Sequence, residues 1–207
     1  MWLSIILTAL TGYLLGNLNG AVSMSVLLGN DDVRSHGSGN AGLTNFIRTF
    51  GFGKAGLVIA IDFIKAALAC MVGRQLLTPC GFGIEGAMLG GVAVSLGHDF
   101  PAVLGFRGGK GILCGFAVAL AIDWRCGLLI LGVFAVVALL SRYISLASVA
   151  ASAAFGLYFG IVYYHQIWVA LGGVFAAILA IVMHRQNIIR LLQHKEGKFK
   201  VGKSKKN

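Results

Sequence analysis

Charge is what this sequence has least of. Only 12% of its 207 residues are Asp, Glu, Lys or Arg, where a soluble domain carries roughly a quarter. That is too little polar surface to cover a water-soluble globule. Proline is nearly absent: of the two present, Pro79 marks a turn in Thr78-Pro79-Cys80-Gly81 and Pro101 bends the end of an apolar run. The four cysteines (Cys70, Cys80, Cys114, Cys126) form no C-x-x-C pair and lie in or beside apolar runs. They read as small buried hydrophobes ahead of metal ligands or disulfides, and no metal site or cofactor motif is visible. No basic segment precedes the first apolar run, which argues against a cleaved signal peptide and for an N-terminal span that persists. The net charge of +10 comes without a basic stripe interleaved with aromatics, so nucleic acid is not an implied partner.

What is present is apolar. Hydrophobic residues make up 57% of the chain and mean hydropathy is +0.85. Thirty glycines suit close helix packing in lipid. The fold class is therefore an all-α membrane protein. Met1 to Gly29 carries no charge and covers the roughly 20 residues needed to cross a bilayer. Further spans follow from Ala55 to about Leu76, Ile84 into Leu104, Gly111 to Ile122, Cys126 to Leu140, Tyr143 to Tyr164 and Gln166 to Met183. That gives about seven transmembrane helices, the fourth short for a full crossing. With the N-terminus outside, the inner segments collect fourteen of the seventeen Lys and Arg residues, leaving Arg74 and Arg125 outside and Lys65 within a span. Positive charge gathers on the cytoplasmic side, so the reading is N-out and C-in. Short interfacial loops on that one face then carry every polar, glycine-rich stretch. The organisation is a single domain over residues 1–194, followed by a disordered basic cytoplasmic tail over 195–207 attracted to anionic lipid.

Four segments carry chemistry. Gly97 to Gly115 sets Arg107 and Lys110 among glycines, which let several N–H groups turn onto one anion. It is not a P-loop, because Leu104 stands where that motif needs glycine and no Ser or Thr follows Lys110. The bland account makes both cations ordinary topology residues. His36 to Gly51 offers Ser38, Asn40, Thr44 and Asn45 as hydrogen-bonding groups, with Arg48 able to grip phosphate bidentately. A turn with a helix cap explains that loop equally well. Ser145 and Ser148 share a helical face at the start of a span, where capping is the simpler role. His184 and Asn187 share a face at the end of the last span. Asp62 and Lys65 lie about 12 and 16 Å into theirs at 1.5 Å per residue. Charges at that depth must pair or face a polar cavity, and an internal i,i+3 pair is the favoured account.

Together the segments resemble the bacterial membrane-integral glycerol-3-phosphate acyltransferases that use acyl phosphate. The resemblance lies in G-S-G-N-A-G-L-T-N-F-I-R (Gly37 to Arg48), G-H-D-F-P followed by F-R-G-G-K-G (Gly97 to Gly111), S-L-A-S (Ser145 to Ser148), H-R-Q-N-I-I-R-L-L (His184 to Leu192) and Asp62-x-x-Lys65. It departs at Ala41, where Pro is usual, at Leu43, at Leu113-Cys114 and at Gln186, where Glu is common. It implies transfer of a long-chain acyl group from acyl phosphate to the 1-hydroxyl of glycerol 3-phosphate, yielding lysophosphatidic acid and phosphate in phospholipid synthesis. A mixed anhydride has a good leaving group, so no covalent nucleophile is required, and the chain lacks G-x-S-x-G. The resemblance implies catalytic roles for Lys110, Arg48, His184 and Asn187. It implies substrate binding by Ser38, Asn40, Thr44, Asn45, Arg107, Gly108, Gly109, Ser145 and Ser148. The implied location is the bacterial cytoplasmic (inner) membrane, with the site on the cytoplasmic face. Partners are membrane lipid and an enzyme that produces acyl phosphate. The rival reading is a small transporter or flippase for a phosphorylated metabolite, which would need polar groups leading towards both faces.

Overall fold

The structure is a computed structural model and describes residues 1–29 and 31–199. It is all helical among those residues: α1 (Trp2–Asn17), α2 (Gly20–Gly29), α3 (Leu43–Phe50), α4 (Ala55–Leu77), α5 (Gly83–Asp99), α6 (Ile112–Ile122), α7 (Trp124–Ser141), α8 (Ile144–Val162), α9 (Ile167–Met183) and α10 (Arg185–Leu192). Helices α1, α4 and α5 form the tight half of the bundle, and α6 to α9 the looser half. Glycine permits the tight packing. A Cβ on Gly16 would lie 2.7 Å from Cα of Gly97, so α1 and α5 touch backbone to backbone.

The first apolar run is broken at Leu18-Asn19, and the buried pair Asp62–Lys65 explains how the break is tolerated. Both residues are 2% exposed and their charges meet at 2.8 Å across i,i+3. Lys65 Nζ donates to the carbonyls of Gly16 and Leu18, which end α1. Asp62 accepts from the N–H of Gly20, which starts α2. The pair therefore satisfies backbone groups that a helix break leaves orphaned in lipid. The favoured account of an internal pair holds, and its additional role is to clamp the break.

All seven expected segments are helical, but they are unequal in length. Five segments are long and apolar enough to cross a membrane (Trp2–Gly29, Ala55–Cys80, Gly83–Leu104, Trp124–Ser141 and Ile144–Val162), and α9 with α10, bent by 55°, makes up to a sixth. Helix α6 has 11 residues, about 16 Å at 1.5 Å per residue, roughly half a hydrocarbon core. Its shortness has a cause. The preceding loop carries the chain into the bundle, so that Cys114 Sγ, in the first turn of α6, donates to the carbonyl of Asp62 at 3.6 Å. Gly111 (φ +66°) supplies the left-handed turn that starts α6.

The helix ends separate into two groups. At one end Arg74 of α4 donates to the carbonyl of Ala121. The hydroxyls of Tyr158 and Tyr163 donate to Asp123, at 2.5 and 3.2 Å. At the other end lie the close of α1, the start of α4, the loop before α6, the start of α8 and the close of α9. The candidate residues are at this second end.

The expected tail is also revised. Residues 195–199 pack back against the bundle: Phe199 N–H donates to Arg142 C=O at 2.7 Å, and Lys198 Nζ stands 5.6 Å from the Tyr143 ring centroid. Residues 200–207, the remainder of the basic tail, lie outside the described residues.

Candidate active site

A cavity of about 440 Å³ opens among α3, α6, α8, α9 and α10. Arg48, Lys110, His184 and Asn187 all line it, and so do Ser38, Asn40, Thr44, Asn45, Ser145 and Ser148. One wall is cationic and hydroxylic, and the other is apolar, built from residues such as Leu113, Phe134, Ala151 and Ala180. A single cavity thus offers both an anion site and a slot for hydrocarbon.

Lys110 lines the cavity, and its ammonium donates to the Asn187 side-chain carbonyl. Burial, with Arg190, Arg185 and Arg48 nearby, lowers Lys110 from its ordinary value to about 8, while Glu196 opposes the shift. Asn187 is held by its other end: Nδ2 donates to Glu196 Oε1 at 2.7 Å. Glu196 also accepts from Ser145 Oγ at 2.8 Å and from Arg190 Nε at 2.7 Å, and its side chain is 7% exposed. Burial alone would raise the Glu196 carboxyl, but these three donors hold it below the ordinary range.

His184 is 4% exposed, and its Nδ1 lies 2.8 Å from the Ala180 carbonyl. Only a protonated Nδ1 can donate there, which leaves Nε2 as the ring's acceptor. Ser148 Oγ donates to Ile144 C=O at 2.9 Å. Neither Ser145 nor Ser148 caps its helix, whose N-cap is Tyr143; the simpler capping role is thereby replaced. No serine–histidine hydrogen bond occurs among the described residues.

The Asn45 amide is spent on architecture. Its Nδ2 donates to the carbonyls of Val33, His36 and Asn40, and its Oδ1 accepts from Ser38 N–H. It shapes the loop that presents Ser38 and Asn40, and starts α3 beside Arg48.

Three expected residues are placed elsewhere. Arg107 is exposed and borders a separate surface recess with Asp32 and Arg34. The N–H groups of Gly108 and Gly109 donate to the carbonyls of Asp99 and His98, at 3.1 and 3.0 Å. They fold the loop back on α5 and are not free for an anion. Glycine is required at 109 because a Cβ there would collide with the His98 ring.

Glu196 and Arg190 are site residues that the sequence did not single out. Glu196 carried one signal, as the lone acid in the Lys-rich C-terminal segment. Asp62, His98 and Asp99 also line the cavity, and Asp99 Oδ1 has no hydrogen-bond partner among the described residues. Asp62, His98 and Cys114 offer ligand atoms within 4.8 Å of one another. The Lys65 ammonium already stands 2.8 Å from Asp62 and 2.9 Å from His98 Nδ1, so a cation fills that spot.

The profile of the glycerol-3-phosphate acyltransferase family matches residues 6–194. A glycerol-3-phosphate acyltransferase of Thermoanaerobacter sp. (strain X514) is 38% identical over 194 residues, covering 94% of this chain and 95% of that one. One from Jannaschia sp. (strain CCS1) is 38% identical over 196 residues, covering 93% and 92%. The crystal structure of PlsY (YgiH), an integral membrane glycerol 3-phosphate acyltransferase, superposes in its glycerol 3-phosphate form with a TM-score of 0.85 at 32% identity, covering 95% and 96% of the two chains. Its lysophosphatidic acid form gives 0.81 at 31% identity. This chain belongs to the glycerol-3-phosphate acyltransferase family and is a membrane-integral acyltransferase of the PlsY type.

Proposed function

We propose that the enzyme transfers a long-chain acyl group from acyl phosphate to the 1-hydroxyl of sn-glycerol 3-phosphate. The observation that carries this reading is the continuity of the cationic wall with the apolar wall in one cavity. The attacking hydroxyl oxygen forms a bond to the acyl carbon, the bond from that carbon to the bridging phosphate oxygen breaks, and phosphate leaves. The hydroxyl proton passes to a base, for which Nε2 of His184 and the departing phosphate are the two acceptors at hand. Lys110 and Arg48 neutralise phosphate charge. Asn187, Ser38, Asn40 and Thr44 orient the substrates, with Ser145 and Ser148 on the facing helix. Such work is positioning and electrostatic stabilisation. Direct attack without an acyl-enzyme is supported by the reactivity of a mixed anhydride and by the lack of a serine–histidine hydrogen bond among the described residues.

The site faces the cytoplasm in this reading, with the N-terminus outside, in a bacterial inner membrane. Arg34, Arg48, Lys54, Arg107, Lys110 and Arg142 lie at the site's end of the bundle, against Arg74 and Arg125 at the other, which supports it. An enzyme that makes acyl phosphate is the implied partner. A transporter would need a polar route to the far end, and the cavity lining stops short of it.

The test uses purified protein, palmitoyl phosphate and glycerol 3-phosphate, with phosphate release as readout. Release with acyl phosphate alone supports the reading. No release, or equal use of acyl-CoA, overturns the donor.

A further inference from the structure

The apolar arm of the cavity ends against four helices. On α8 the lining residues are Ile144 at its first position and then Ser145, Ser148, Ala151, Ser152 and Phe155, a spacing that keeps the last five on one stripe. Past the mouth at Ile144 the next four are small, and Phe155 is the first bulky side chain met going inward. Beyond it, Phe159 is fully buried, with its ring centroid 4.7 Å from that of Phe155. It does not line the cavity. The lining stops at Ala176 on α9, Val118 on α6 and Ile130 on α7. Phe155, Val118 and Ile130 are 5%, 2% and 6% exposed and belong to one packed cluster. The arm therefore has a floor, and the face of that floor on α8 is the Phe155 ring.

Its depth has a meaning. Ser145 to Phe155 is ten residues, about 15 Å along α8 at 1.5 Å per residue. Half of a hydrocarbon core of about 30 Å is also about 15 Å, the reach of one leaflet's acyl chains. The arm matches the tail length of an ordinary membrane lipid.

We propose that Phe155 is the chain-length stop of the acyl donor: the terminal methyl of the bound chain abuts its ring, and Ala151 and Ser152 are small so that the chain can run down to it. The inference rests on the acyl-transfer reading of the cavity. A chain leaving sideways into the bilayer between helices would meet no such stop.

The test is a donor series on the purified full-length enzyme: octanoyl, palmitoyl and behenoyl phosphate, with glycerol 3-phosphate held constant. Ala151→Phe fills the arm one turn nearer the site. It should lower kcat/KM for palmitoyl relative to octanoyl phosphate by about a factor of four for each methylene denied its place, hence about 60-fold for three. Phe155→Ala should raise behenoyl relative to palmitoyl phosphate at least ~10-fold, reversing part of the loss the longer chain would otherwise suffer. Phe155→Leu, a gentler change, should move the ranking the same way by less. Because each readout is a ratio between donors, it does not depend on how much protein folds. Wild-type ranking in both Ala151→Phe and Phe155→Leu overturns the stop. Failure of the wild-type enzyme to use any acyl phosphate overturns the donor reading instead.

Discussion

Glu196 offers the sharpest test of how this site is held together. Its carboxylate accepts from Ser145, Asn187 and Arg190 at 2.7–2.8 Å, and the Asn187 carbonyl in turn accepts from Lys110. The chain of contacts fixes which way the Asn187 amide faces. With its Nδ2 anchored on a carboxylate, Oδ1 must point at the ammonium. Glu196→Ala removes the anchor, and an inverted amide would present N–H groups to Lys110. A hydrogen bond to a charged group is worth about 1.5–3 kcal/mol, so loss of the one that orients Asn187 should lower kcat/KM by about 10- to 150-fold. Glu196→Gln keeps an acceptor for Asn187 but gives up the charge facing Arg190, and should fall between wild type and Glu196→Ala. The assay is phosphate release from palmitoyl phosphate, with initial rates taken against both substrates and thermal unfolding in detergent as the check on folding. A folded Glu196→Ala enzyme with unchanged or higher kcat/KM would refute the reasoning. The carboxylate would then be only a placeholder in an anion site, displaced when substrate phosphate arrives.

Lys110→Ala and Arg48→Ala should each abolish turnover while the protein still inserts, and near wild-type activity in purified Lys110→Ala would overturn its assignment. Burial lowers Lys110 to about 8, and its proposed role on phosphate needs the ammonium form. The kcat/KM of the free enzyme should therefore rise as substrate phosphate becomes dianionic near pH 6 and fall above about pH 8; a flat profile from pH 7 to 10 would remove Lys110 from that role. Asp62→Asn leaves the buried Lys65 charge unpaired and should cost about 3–5 kcal/mol of stability. Asp62→Asn with Lys65→Met should recover part of it, a coupling readable as a double-mutant cycle in thermal unfolding. Cys80 is half-buried at the end of the bundle away from the site, whereas Cys70, Cys114 and Cys126 are buried. In intact cells a membrane-impermeant thiol reagent should label Cys80 from outside, and protection there with labelling only in inverted vesicles would reverse the proposed orientation.

Much of the helical framework is legible because lipid allows few alternatives. A backbone in hydrocarbon must satisfy itself, so long uncharged runs can only be helices, and the runs from Ala55, Ile84, Cys126, Tyr143 and Gln166 are all found as such. Composition could not reveal the break at Leu18-Asn19. Gly16-Asn17-Leu18-Asn19-Gly20 is compatible with a turn, but the groups that make a break tolerable there, Asp62 and Lys65, are more than forty residues away. Helix α6 was legible as a short segment, but the reason for its shortness, the loop that sinks its start to the level of Asp62, is a tertiary feature.

The site divides along the same line. Arg48, Lys110, His184 and Asn187, each carried by a recognisable motif, are brought to one cavity. The glycines at 108 and 109 show the limit of that logic. Glycine-rich sequence is compatible with an anion cradle and with close backbone packing, and only the His98 ring, against which Gly109 is pressed, decides for packing. Glu196 shows it from the other side: within a lysine-rich segment, a lone acid looks like solvated surface. Its importance arises from three donors that belong to α8 and α10. The polar wall of the cavity is thus assembled from elements distant in sequence, and the C-terminal segment completes a wall whose other members lie as far back as Ser38.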